Sequence, residues 1–259
     1  MADLRNKELM AALGEVAPGR PLREGLDRIL KAGMGALLVI GDGPEVLNIC
    51  SGGFLVNTAF TPQKLSELAK TDGAIVLTPD SSYIARANVH LVPNPNVPTE
   101  ETGTRHRTAE RVARSIGVPV ISVSEDMAVV TVYTRTKRYQ LEPIPSILGR
   151  CNQALQTLER YKSRLNEEST SLTALEVEDQ VMLRDVVSLL QRAELVARIS
   201  EEIEQYLVEL GTDGRLVRLQ LRELMAGVED ERRLVVLDYL QPDASWNMEQ
   251  AIETLSEMD

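Results

Sequence analysis

Aromatic side chains make up only 3% of this 259-residue sequence, and it holds two cysteines and two histidines. With 43% hydrophobic residues but so few rings, any core has to be mostly aliphatic. Cys50 and Cys151 lie far apart and match no metal or redox spacing, so they read as buried free thiols in a reducing cytosol. The opening residues, MADLRNKELM, contain no apolar signal segment. No run approaches the roughly 18 apolar residues that a membrane span needs. A soluble, cytoplasmic chain without membrane contact is expected. Several common phosphate and hydrolase signatures are also missing. There is no GxxxxGK[ST], no GxGxxG behind a strand, no GxSxG elbow and no HExxH, which leaves P-loop and hydrolase readings unsupported. Basic charge is scarce in the second part: residues 149–259 carry 12 Lys and Arg against 23 Asp and Glu, whereas 1–148 carry 16 of each. That imbalance argues against the second part gripping a nucleic-acid backbone. No internal repeat or low-complexity tract is visible.

What is present divides in two. Residues 3–13 have helical spacing, and Pro21 suits the first position of a second helix that stops near Gly33. Short Val- and Ile-rich runs at 36–40, 46–50, 74–77, 120–123 and 128–133 have strand length. Between them, TPQKLSELAK is a helix with Thr61 as cap and Pro62 at its first position. Strands interleaved with helices predict an α/β domain with a central sheet over helical layers, ending near Pro143–Pro145. Beyond that, the pattern is helical throughout. Thr173 and Glu176 have capping-box form and open a predicted helix of about 35 residues, to Leu210, before GTDG breaks it. Shorter helices follow, interrupted around Gly227 and Pro242. This second part reads as a bundle or oligomerisation spine.

Two stretches carry possible chemistry. GTRHRTAER, residues 103–111, opens a predicted helix that runs to about Ile116. Helix N-termini favour Asp or Glu, yet Arg105, His106 and Arg107 occupy this first turn. A polyanion would resolve the conflict, because guanidinium forks and first-turn N–H groups both suit phosphate oxygens. Thr104 and Thr108 would add hydroxyl donors. The plainer alternative is a solvated basic turn that tolerates the dipole at roughly a few tenths of a kcal/mol per charge. The second stretch, TDGAIVLT, sets Asp72 and Gly73 at the mouth of a predicted strand. Asp is a hard oxygen ligand for Mg²⁺ or Mn²⁺ beside phosphates, while an ordinary Asp-Gly turn is the alternative. Gly52-Gly53 is either a close-approach loop or a tight turn. His90, on a predicted strand, reads as packing or surface.

DGA at 72–74 followed by TRHRT at 104–108 resembles the signature pair of the diadenylate cyclase family. GGF at 52–54, ANVHLVPN at 87–94 and SVSE at 122–125 extend the likeness. The resemblance implies a cyclase domain over 1–145, with a mixed central sheet flanked by helices, and an all-α linker or spine over 146–259. It implies an enzyme that joins two ATP into cyclic di-AMP and releases two pyrophosphates, across facing sites of an oligomer, expected as a homo-octamer. Asp72 would hold Mg²⁺ or Mn²⁺ and help activate a 3′-hydroxyl, and Gly73 and Ala74 would lie against the nucleotide. Arg105, His106 and Arg107 would neutralise the phosphates, with Thr104 and Thr108 as donors. Leu91 would sit at the adenine and Ser124 near the phosphates. Members of the family that scan DNA end in a helix-hairpin-helix domain. This sequence stops at ETLSEMD without such a segment, so DNA binding is not expected of this chain. The alternative function is a sensor that holds ATP or the cyclic product without turnover.

Overall fold

The computed structural model describes residues 2–239, Gln250 and Thr254. Two compact units emerge, one of Met1–Pro143 with Val208–Asp213, the other of Ile144–Leu207 with Gly214–Asp259.

In the first unit, helices α1 (Ala2–Glu15) and α2 (Pro21–Lys31) precede strand β1 (Ala36–Ile40). Then come helix α3 (Pro44–Asn48), strands β2 (Cys50–Ser51) and β3 (Phe54–Ala59), helix α4 (Pro62–Leu68), and strands β4 (Ala74–Leu77) and β5 (Tyr83–Leu91). Helix α5 (Thr104–Ile116) leads to β6 (Val120–Ser124), β7 (Val129–Tyr133) and β8 (Arg138–Gln140). The predicted Thr61 cap is present, its hydroxyl accepting from the Lys64 N–H at 3.2 Å with Pro62 at the first position. One expected strand is wrong. Residues 44–48 are helical, because Pro44 starts a turn behind Gly43, and only Cys50–Ser51 pair as a strand.

The strands form one mixed sheet in the order β2-β5-β4-β1-β6-β7-β8, with β3 also on β5. β1 and β4 are parallel and their neighbours antiparallel. Alternate side chains along each strand face opposite ways, which splits the aliphatic residues into two cores. Leu38, Ile75 and Ile121 pack with Leu13, Leu26, Ile29 and Leu65 from α1, α2 and α4. Leu37, Val39, Val76 and Val120 pack with Ala109, Val112 and Ala113 of α5. The expected sheet between helical layers is therefore present.

This topology sets up an edge. Leu37 pairs with Ala74 and Ala36 with Val123. The residues just before β1, just before β4 and just after β6 consequently meet at one end of the sheet.

The second unit is helical. Its helices are α6 (Ile144–Val177), α7 (Leu183–Leu210, whose last three residues belong to the first unit), α8 (Arg215–Met225) and α9 (Val228–Tyr239), with a short 3-10 turn over Gly211–Gly214. Ile147, Cys151, Leu155, Leu158, Leu165 and Leu172 form the buried stripe of α6. The expected start at Thr173 is incorrect. Residues 150–172 hold no Gly or Pro to stop the incoming helix, and the Thr173 hydroxyl donates to the Ser169 carbonyl at 3.1 Å inside α6. The break falls later, where Asp179 adopts a left-handed backbone (φ 57°). The Asp185 carboxylate then accepts from the Met182 N–H at 3.1 Å and caps α7. Gly227, at φ 76°, separates α8 from α9. The interruption expected at Pro242 lies outside the described residues.

Candidate active site

Helix α5 begins without a cap. Gly103 offers no side chain, no acid stands in the first turn, and Gly117 closes the far end at φ 82°. The first-turn N–H groups are thus left for something other than this helix's own side chains. Thr104 and Arg107 are exposed, while Arg105, His106 and Thr108 are half-buried. Thr108 turns inward, its hydroxyl donating to the Thr104 carbonyl at 2.9 Å.

The helix is braced from the preceding loop. Arg111 Nε donates to the Val97 carbonyl at 3.0 Å, and Arg114 Nη1 to that of Pro98 at 2.9 Å. Buried Glu110 pairs with Arg114 at 2.7 Å and accepts from the Thr99 hydroxyl. These contacts fix where the basic turn points by anchoring both loop and helix.

At the sheet edge, Asp72, Gly73 and Arg105 line one cavity of about 240 Å³ together with Gly35, Lys70 and Glu125. Asp72 and Arg105 are 33 positions apart in sequence, and the parallel pairing of β1 and β4 plus the placement of α5 bring them together. The guanidinium of Arg105 lies directly on Gly35: a β-carbon there would stand 1.9 Å from Nη1. Glycine at 35 is what gives Arg105 its seat. Arg105 Nη1 also reaches the Val123 carbonyl at 3.5 Å.

Gly73 has its own explanation. Its φ is +104°, and a β-carbon would fall 2.8 Å from the Asn88 carbonyl carbon and 2.9 Å from the Val89 nitrogen. Strand β5 thus demands glycine at 73 whatever binds nearby. Gly53 is similar, at φ +79° and pressed against the Ala87 and Asn88 carbonyls, so Gly52-Gly53 is both a turn and a close approach.

Ala74 and Leu91 are buried in the core beside α5. Leu91 is also paired with Cys50 across β2 and β5, and its buried side chain serves packing. Ser124, nearly buried at the end of β6, accepts weakly from the Met127 N–H at 3.4 Å. Neither it nor Leu91 lines the cavity holding Asp72. His90 is exposed on β5, opposite Ser51.

His106 sits at the end of a hydrogen-bonded chain that sequence reasoning did not anticipate. Its Nδ1 is 2.8 Å from the hydroxyl of buried Tyr133, which donates to Glu101 Oε1 at 2.8 Å. Arg138 Nε pairs with the same oxygen at 2.9 Å. Burial pulls the His106 pKa below the ordinary 6.5, with Glu101 opposing and Arg138 and Arg105 reinforcing the shift. Burial first, then the bond to Glu101, pushes the Tyr133 hydroxyl far above its usual range. Glu125 closes the SVSE stretch, whereas Glu101, Tyr133, Arg138 and Gly35 carry no local signature. They come from separate elements and acquire meaning only through the fold.

Among the described residues no group of three His, Cys, Asp or Glu could hold a metal by itself. The donor set nonetheless suits Mg²⁺ or Mn²⁺ held with a nucleotide. Such ions commonly take one or two carboxylates and complete their shell with phosphates and water, and Asp72 and Glu125 are the carboxylates on this cavity. No helix among the described residues is long and apolar enough to cross a membrane.

Residues 23–138 match the family described as DisA bacterial checkpoint controller nucleotide-binding, and residues 141–259 the one described as DisA bacterial checkpoint controller linker region. The DNA integrity scanning protein DisA of Parafrankia sp. (strain EAN1pec) is 56% identical over 249 residues, covering 96% of this chain and 69% of that protein. Its namesake in Streptomyces coelicolor is 52% identical over 251 residues, covering 97% and 67%. This chain spans about two thirds of the length of these relatives. A crystal structure of DacA from Staphylococcus aureus overlaps 46% of this chain and 83% of its own, at 21% identity and a TM-score of 0.39.

Proposed function

This chain belongs to the DisA family of diadenylate cyclases, and from that premise we infer how its own residues join two ATP molecules into cyclic di-AMP. The observation that carries the assignment of roles is that Asp72 and Arg105 line one and the same cavity.

In each of two steps a ribose 3′-oxygen attacks the α-phosphorus of the other ATP. The bond from that phosphorus to the pyrophosphate oxygen breaks, and the hydroxyl proton leaves. Little covalent work falls to the protein, so its contribution is positioning and electrostatic stabilisation. Arg105, seated on Gly35, and exposed Arg107 would grip the triphosphate and the departing pyrophosphate. The open N–H groups of the first turn of α5 would add to that grip. Asp72, exposed at the sheet edge, would orient the 3′-hydroxyl and, with Glu125, hold Mg²⁺ or Mn²⁺. Such an ion, when bound, neutralises phosphate charge and eases deprotonation of the hydroxyl. Thr104 and Ser124 would supply further hydroxyl contacts, and the Leu91 backbone would meet the adenine edge.

One cavity serves one ATP, so the reaction needs a second copy facing the first. We place the cyclase within residues 1–145 and assign 146–259 as the helical spine of an oligomer, an octamer by family resemblance. Incubation with ATP and Mn²⁺, read by mass spectrometry, tests the activity. Cyclic di-AMP is the expected product, and its absence from the assembled wild-type chain would contradict the reading.

A further inference from the structure

The chain of bonds behind His106 has a direction. Glu101, paired with Arg138 at 2.9 Å, is an ionised acceptor and donates nothing. The Tyr133 hydroxyl has one proton, and at 2.8 Å it goes to Glu101 Oε1. The Tyr133 oxygen can then only accept from His106, and the 2.8 Å contact at Nδ1 requires a proton on that nitrogen. Were the imidazole proton on Nε2, two lone pairs would face each other across 2.8 Å. Nε2 has no hydrogen-bond partner among the described residues.

We propose that Tyr133, Glu101 and Arg138 are positioning residues that lock His106 in the Nδ1–H form, so that binding of a triphosphate must be accompanied by uptake of a solvent proton at Nε2. A neutral Nε2 presents a lone pair, which repels a phosphate oxygen. Once protonated, the same atom donates a charge-assisted bond. The groups around the ring are Arg105 on its own helix, Tyr133 on β7, Arg138 on β8 and Glu101 in the preceding loop. Burial, with the two arginines and against the pull of Glu101, disfavours the charged ring, and incoming phosphate charge opposes that balance. This coupling to the nucleotide rests on the cyclase reading, whereas the tautomer does not.

The test uses the chain's having two histidines. His90→Gln leaves His106 as the single one, and its tautomer is read by solid-state ¹⁵N NMR of histidine-labelled protein without nucleotide. The expected result is a protonated Nδ1 and a bare Nε2. Glu101→Ala removes the acceptor, frees the Tyr133 proton to turn toward Nδ1, and is expected to shift the ring to the Nε2–H form with Tyr133 intact. Tyr133→Phe is a second route to that shift. A bare Nδ1 in the unmutated network, or an Nδ1–H ring that persists in Glu101→Ala, would overturn the lock. Calorimetry of ATP binding in buffers of different ionisation enthalpy then counts protons. Phosphate titrates near pH 6, so the comparison is between variants: near pH 7.5, uptake in the wild type should exceed that in Glu101→Ala. Equal uptake would overturn the coupling, and product formation would judge the cyclase reading separately.

Discussion

At the scale of single residues, the proposed grip on the triphosphate turns on how Arg105 is held. Its guanidinium rests where a β-carbon of residue 35 would be, so Gly35→Ala should unseat it without touching its chemistry. ATP affinity is expected to fall about 10-fold or more in Gly35→Ala, approaching Arg105→Ala, since charge-assisted bonds contribute about 1.5–3 kcal/mol. Wild-type affinity in both variants, by titration, would place the phosphates elsewhere. Asp72→Asn should leave the fold intact and lower synthesis by about 10²-fold or more, and appreciable activity there would remove Asp72 from its role. His106 makes a pH prediction. Its folded pKa lies below the unfolded 6.5, so the unfolded chain binds more protons. The stability this confers is whole above pH 6.5, begins to be lost below it, and is gone once pH falls through the depressed folded value. The melting temperature of the wild type should therefore drop more than that of His106→Gln between about pH 7.5 and about 5.5. Equal drops would contradict the burial of the ring.

At the scale of elements, glycine 73 separates architecture from chemistry. Its positive φ and the backbone of β5 behind it make Gly73→Ala a folding defect, expected to cost about 1–3 kcal/mol. Lost activity in that variant should come with a lowered melting temperature, and an unchanged melting temperature would show that β5 gives way. Such distinctions were only partly legible in the sequence. The α/β core could be read because its strands are short aliphatic runs and its helices begin at Thr61-Pro62 or Pro21. Residues 46–50 misled because a Val- and Ile-containing run reads as a strand, while Gly43-Pro44 sets a helical turn. Thr173 misled because capping-box spacing recurs inside a helix that nothing interrupts. β3 and β8 went unread; the first is largely exposed and the second three residues long. The basic turn of α5 was visible as a charge conflict. Its support from Tyr133, Glu101 and Gly35 was not, because pairing across the sheet assembles those partners from distant segments.

At the scale of the whole molecule, the acidic imbalance of residues 149–259, 12 basic against 23 acidic, suits a helical spine better than a nucleic-acid grip. A reaction that needs two facing copies also predicts its own concentration dependence. Dilution through the range where the assembly dissociates should abolish synthesis per chain while ATP binding per chain persists. Synthesis that stays constant in a demonstrated monomer would contradict the facing-site account. The most direct measurement is a structure of the chain with 3′-deoxy-ATP and Mg²⁺, since that analogue fills the site but lacks the attacking hydroxyl. The account predicts the triphosphate against Arg105 and the open first turn of α5, with Asp72 at the sugar–phosphate end and a second nucleotide facing it from another copy. A nucleotide bound away from the Asp72–Arg105 edge, such as in the 630 Å³ cavity lined by Ile40, Pro79 and Arg135, would contradict it.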